Sequence, residues 1–272
     1  MSAVGGTLRR LRLESGISLR DLARRLGVSS AYLSRVEHGL DPTPTRERLV
    51  AFAAELDLPP GMLLEVAHRM SPLVERYVEQ EPQAGALFTA IAGRALQAHE
   101  LVEIQRFIER RFPRAGAATS PNVELAPLLN VDRVILGVQC DDLADACEIG
   151  ATRLAGLEHM PDVSTLTSTL VARAAEVEPG LGGGVAAVAA SFPGAQSAAV
   201  VVVLARPIAV KGGDGIPISV LVLLISASRG RDALLRIAHV ARLGARGLVT
   251  VLSSVRHPEQ ALQQLASLEL VE

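Results

Sequence analysis

At 272 residues, with 49% hydrophobic and 21% charged side chains, the chain is too apolar for a disordered protein and long enough for two compact units. Its 27 basic residues, all arginine except Lys211, face 29 acids, and the net charge of −2 by itself indicates no polyanionic partner. The distribution is uneven: residues 9 to 35 carry seven arginines against Glu14 and Asp21, while residues 70 to 272 are net acidic.

From Thr7 to Ala67 the pattern predicts short helices. Leu19, Leu22, Ala23 and Leu26 share one helical face, opened by the capping pair Ser18 and Asp21 and closed by Gly27. A second helix starts at Ser29 or Ser30, buries Leu33 and Val36 and ends at Gly39; a third follows Pro44 with Leu49, Phe52, Ala53 and Leu56 inward. Residues 72 to 112 are again helical, with Pro82 and Pro113 as stops, and Pro113 to Pro121 reads as an exposed linker. Beyond Asn122, strand-like runs (Val134 to Val138, Val200 to Leu204, Ile218 to Ile225) alternate with helical ones (Asp142 to Leu157, Thr165 to Ala175, Arg231 to Leu243, Pro258 to Leu268), which predicts an α/β layer structure. The longest apolar runs, Ala198 to Ala205 and Val220 to Ile225, are far shorter than the ~20 residues of a spanning helix. With two cysteines, Cys140 and Cys147, and no apolar leader, the expectation is a cytoplasmic protein with no membrane association.

The stretch Ile17 to Gly39 places two helices either side of a Gly27 turn, with Ser30, Ala31, Ser34 and Arg35 outward. Through Leu22-Ala23, Leu26-Gly27-Val28, Ser29, Leu33-Ser34-Arg35 and Glu37-x-Gly39 it resembles the Cro/C1 (XRE) family, lambda-repressor-like helix-turn-helix regulators. The resemblance implies double-stranded DNA as partner, with Ser30, Ala31, Ser34 and Arg35 at base edges. Arg35 is expected either to grip a guanine or to pair with Glu37 or a phosphate. Arg9, Arg10, Arg12, Arg20, Arg24, Arg25 and Ser29 are the expected backbone contacts. So few base contacts favour a homodimer on a two-fold site, with the helices of 72 to 112 as interface or as intrachain packing.

Residues 123 to 272 resemble the fructose/mannitol-type enzyme IIA domain of the sugar phosphotransferase system (PTS). The resemblance lies in Leu128-Leu129-x-x-Asp132-Arg133-Val134, Leu170-Val171-Ala172-Arg173, the Gly-rich run Leu181 to Ala189, the strand ISVLVLLIS and the helix ALLRIAHVARL. It implies two histidines for phosphotransfer, but Ala189 stands at the nucleophile position and Ala233, or Asp232 in a slipped register, at the second. A methyl group accepts no phosphate, so that activity is expected to be absent. Gly182, Gly183, Gly184, Ser228, Arg229 and Arg231 are a candidate pocket for an anionic ligand or an acidic partner segment, with a tight turn and a helix cap as the ordinary alternatives.

The organisation expected is therefore a helix-turn-helix domain over 1–69, a helical connector and linker over 70–122, and an α/β domain over 123–272 with a mixed sheet flanked by helices. The functional expectation is a DNA-binding regulator, a dimeric repressor, that is not an enzyme and has no catalytic residues, cofactor or metal site. The alternatives are a phosphocarrier using a relocated histidine such as His239, and a protein-interaction scaffold.

Overall fold

The structure is a computed structural model that describes residues 3–68, 72–96, 98–112, 123–209 and 214–269. The linker expected at Pro113 to Pro121 lies outside the described residues.

The first half is helical: α1 (Ala3–Glu14), α2 (Leu19–Arg25), α3 (Ser30–Glu37), α4 (Arg46–Glu55) and α5 (Pro60–Val66). Two local signals start the central pair. The Ser18 hydroxyl accepts from the Asp21 N–H at 3.1 Å, and the Ser29 hydroxyl accepts from the Tyr32 N–H at 3.1 Å. Gly27, at φ 64°, makes the left-handed turn between them. Leu22, Ala23, Leu33, Val36, Leu49 and Phe52 fill the core, as their spacing predicts. Gly5 is fixed by close approach, since a Cβ there would fall inside contact distance of the Val36 carbonyl oxygen at the crossing of α1 and α3.

Three further helices, α6 (Pro72–Gln80), α7 (Pro82–Gly93) and α8 (Ala98–Arg111), stand apart from this core. No residue of α7 is buried, and Tyr77, Leu87, Phe88, Leu101, Phe107 and Ile108 are exposed.

The second half contains β1 (Val134–Val138), α9 (Leu143–Ala151), α10 (Val163–Glu176), β2 (Gly180–Gly182), β3 (Val185–Ser191), β4 (Ala198–Ile208), β5 (Ile218–Ser226), α11 (Arg231–Ala245), α12 (Leu248–Ser253) and α13 (Pro258–Glu269). Among the described residues the strands form one mixed sheet in the order β1-β4-β5-β3-β2. β1 is parallel to β4, β5 antiparallel to β4, β3 parallel to β5, and β2 antiparallel to β3. The two-residue period of β3 divides its side chains between two layers. Ala186, Val188 and Ala190 pack with Leu166 and Leu170 of α10, whereas Val185, Ala187 and Ala189 join the layer containing Leu235, Ile237 and Ala238 of α11. The stretch 181 to 189 reads as a Gly-rich run in the sequence, yet from Val185 on it is strand β3, paired with β5 along its whole length and with β2 at Val185 and Ala186. Its alanines carry little strand preference and are tolerated because burial and pairing decide the conformation.

The two halves are continuous. Leu8 and Leu11 of α1, Leu22 and Leu63 share one apolar cluster with Leu181, Val222 and Leu235. The Thr7 hydroxyl donates to the Leu181 carbonyl at 2.7 Å, and Arg246 pairs with Glu65 at 2.6 Å. Across the seam between start and end of the α/β half, Glu269 accepts from the N–H groups of Leu125 and Ala126.

Candidate nucleic-acid interface

The exposed side of α3 and its flanks is where the sequence places base readers. Ala31 and Arg35 are exposed, Ser30 and Ser34 half-exposed, and Leu33, Val36 and Glu37 face the core. Among the described residues no hydrogen bond or ion pair ties Ser30, Ala31, Ser34 or Arg35 to the α/β half. Arg35 pairs with neither Glu37 nor another residue of α3. Its Nε donates to both carboxylate oxygens of Asp41, at 3.0 and 3.1 Å. That arrangement holds the guanidinium through Nε and leaves its two Nη groups without a hydrogen-bond partner among the described residues, and a pair of Nη donors can form a bidentate contact with guanine.

Glu37 has another partner. Arg12 Nε lies 2.7 Å from Glu37 Oε1 and Arg12 Nη2 2.8 Å from Oε2, with both side chains buried. This fork fastens the end of α3 to α1 and sets the presentation angle of the outward face.

The expected phosphate contacts divide. Arg20, Arg24 and Arg25 are exposed, Arg24 beside Asp21 at 2.9 Å and Arg25 at 3.6 Å from Glu55. The Ser18 hydroxyl and then Arg24 hold the Asp21 carboxyl below the usual carboxylate range. Ser29 is exposed, with its hydroxyl engaged as the cap of α3. Arg10 and Arg12 are corrections: both are buried, so neither reaches a phosphate in this conformation. Arg10 Nη1 donates to the Val177 carbonyl at 2.7 Å, and burial pushes its guanidinium down to about 10. Arg9 also turns inward, to Glu178. Helix α1 therefore faces two ways: Arg9 and Arg10 join it to the α/β half, and Arg12 joins it to α3. The sequence reading overlooks Arg48, exposed on α4 with its guanidinium 4.7 Å from the centre of the Tyr32 ring, beside the start of α3. It also overlooks Asp41; a carboxylate six residues after Arg35 falls outside any helical spacing rule.

The anion pocket expected from Gly182, Gly183, Gly184, Ser228, Arg229 and Arg231 does not form as one site. β3 and β5 are parallel and in register from Val185↔Val220 to Ser191↔Ser226. The glycines precede β3 and the serine–arginine loop follows β5, so they occupy opposite ends of the sheet, ~20 Å apart along the strand. At the glycine end, the Gly183 N–H is already taken by Asp214 at 2.8 Å. At the other end, Arg231 meets Asp57 at 2.5 Å.

His239 is wholly buried. Arg242 Nη2 donates to its Nδ1 at 2.8 Å and its Nε2 donates to Glu269 at 2.8 Å. No helix among the described residues is long and apolar enough to cross a membrane, and no group of three or more His, Cys, Asp or Glu among them could hold a metal.

Comparison with known proteins agrees with this geometry at the N-terminal end. Residues 3–66 match the family model of a helix-turn-helix domain, and this part of the chain is a helix-turn-helix domain. It is similar to the HTH-type transcriptional regulator SinR of Bacillus subtilis, 35% identical over 65 residues, 24% of this chain and 59% of that protein. SinR of Bacillus licheniformis is 36% identical over 61 residues, 22% of this chain and 55% of the relative. The chain thus spans rather more than half the length of these relatives. The nitrogen regulatory protein IIA-Ntr of Neisseria meningitidis is a structural neighbour at 19% identity and a TM-score of 0.45, over 52% of this chain and 97% of that one.

Proposed function

We propose that the chain is a sequence-specific DNA-binding transcriptional regulator, a dimeric cytoplasmic repressor whose α/β half is regulatory and carries out no phosphotransfer. The observation that carries this reading is α3: its inner side is locked by the Arg12–Glu37 fork, and its outer side, with Arg35 oriented by Asp41, is open. Ser30, Ala31, Ser34 and Arg35 enter the major groove, with Arg35 contributing ~1–3 kcal/mol of discrimination at a guanine. Arg20, Arg24, Arg25, Ser29 and Arg48 rest on phosphates. Arg10 and Arg12 act indirectly, by holding the reading helix to the body.

The dimer reading is supported by α6 to α8. Their exposed large apolar side chains cluster on helices that stand outside the core, which favours burial against a second copy.

The phosphocarrier alternative needs a histidine that a donor can reach, and His239 has both ring nitrogens engaged at zero exposure. Ala189, at the position where the resemblance implies a nucleophile, supplies only its carbonyl, which Arg173 Nε approaches at 3.4 Å.

Gel shifts on DNA upstream of the chain's own gene, with competitor DNA and a salt series, test the proposal. Salt-sensitive binding that survives competitor supports it; absence of binding at low salt refutes it. Incorporation of label from phosphoenolpyruvate and the general carrier proteins would reverse the non-enzymatic reading.

A further inference from the structure

Between the helix-turn-helix domain and the end of the sheet lies a cavity of about 530 Å³. On one side it is lined by the end of α1 and the turn after it, from Leu13 to Ile17, and by Glu55 to Asp57 before α5; on the other by Arg173, Arg229, Gly230, Arg231 and Leu234. Three arginines of the α/β half therefore line a space whose other wall is the helix-turn-helix half. Arg173 is buried and donates to Glu14 at 2.9 and 3.0 Å. Arg231 pairs with Asp57. Arg229 is exposed and has no hydrogen-bond or ion-pair partner among the described residues. The cavity also meets the start of α11, a fifteen-residue helix whose first residue follows Gly230 with no side-chain cap.

We propose that this cavity binds a phosphate-bearing small molecule, and that binding exchanges interdomain ion pairs for ligand contacts. The inference rests on the α/β half being the regulatory part. Planar guanidiniums and uncapped helix N–H groups are the donors that match a phosphate dianion, and the volume is that of a metabolite-sized pocket. Leu13, Leu56 and Leu234 give the rest of the ligand an apolar wall.

The exchange strands no buried charge. Glu14 is shared, with Arg10 Nη2 2.7 Å from its Oε1, so a ligand that takes Arg173 leaves Glu14 its second cation. Asp57 is three-quarters exposed and returns to water when Arg231 turns to the ligand. Because Glu14 ends α1 and Asp57 lies between α4 and α5, the ligand loosens two ties that set how the reading domain sits on the body. A ligand that prefers the loosened arrangement shifts the population toward it.

Titration of the full chain with inorganic phosphate, read by calorimetry against chloride at matched ionic strength, tests this without DNA. A saturable signal is expected. Arg229→Ala, an exposed change, should weaken it about tenfold, the equivalent of one charged hydrogen bond, with the unliganded Tm unchanged. Asp57→Asn should tighten it, because Arg231 is released and asparagine accepts the φ of 53° at that position. A response that persists in Arg229→Ala but disappears in Arg20→Ala/Arg24→Ala would assign phosphate to the DNA-facing arginines and overturn the proposal, as would a signal that chloride reproduces. Loss of DNA binding in the gel shift strikes the regulator reading and leaves this titration intact, so the two failures are separable.

Discussion

Arg12 and Glu37, 25 residues apart, meet in a buried two-bond fork that joins α1 to the end of α3. Removing one member leaves the other charged and dry. Glu37→Gln or Arg12→Met should therefore cost about 3–5 kcal/mol, measured by chemical denaturation. The double change should cost less than the sum of the singles, because it removes the orphaned charge.

Arg10 and Arg24 separate buried arginines from exposed ones. Arg10→Ala leaves the Val177 carbonyl without its donor and opens a buried space, so it should lower Tm. Where the variant is folded, its DNA salt dependence should match the parent. Arg24→Ala should leave Tm near the parent value and reduce the slope of log affinity against log salt by about 1.

Cys147 and Cys140 differ in burial. Burial pushes the Cys147 thiol up from 9.0 to about 12. The Cys140 thiol is also raised, by burial and then by Asp145, Asp142 and Asp141, but it is partly exposed. In the native state a thiol reagent at pH 8 should modify Cys140 first and Cys147 only with global unfolding. Since the folded value for Cys147 lies above the unfolded one, its contribution to stability is fully present below pH 9 and is lost as pH rises toward 12. Cys147→Ala should flatten that alkaline decline in urea midpoints measured between pH 8 and 11.

Phe88 and Ile108 test the association surface. Both are exposed on the helices outside the core, so Phe88→Glu/Ile108→Glu should leave the fold intact. Sedimentation should show a dimer for the parent chain and a monomer for the variant, with weaker DNA binding as a result. A parent chain that sediments as a monomer at high concentration removes the dimer from the account.

The helix-turn-helix was legible because its determinants are local. Ser18, Gly27 and Ser29 act within three residues of themselves, and the spacing of Leu22, Leu33 and Val36 declares the buried side. What could not be read depends on contacts far along the chain. Arg10 and Arg12 look like solvated charges until α1 is seen between α3 and β2, with Val177 and Glu37 as partners. β3 is not announced by its sequence because its alanines carry little strand preference, and its place beside β5 is set by pairing along its whole length. The single pocket expected from the glycines and from Ser228 to Arg231 fails for one topological reason: the two strands they flank run parallel, so a segment before one and a segment after the other are held apart. The cavity at that end keeps Arg229 and Arg231 from the expected set and adds Arg173, Glu14 and Asp57, and their meeting across the two halves of the chain has no local signature.

The central claim is that the open side of α3 reads base sequence through Arg35. Its most direct test is fluorescence anisotropy of the full chain against a duplex selected from a random pool and against a scrambled duplex, over a salt series, for the parent and Arg35→Ala. The parent should prefer the selected duplex, and Arg35→Ala should narrow that preference by about 10- to 100-fold while the salt slope is kept. Equal affinity of the parent for both duplexes, or an unchanged preference in Arg35→Ala, would contradict it.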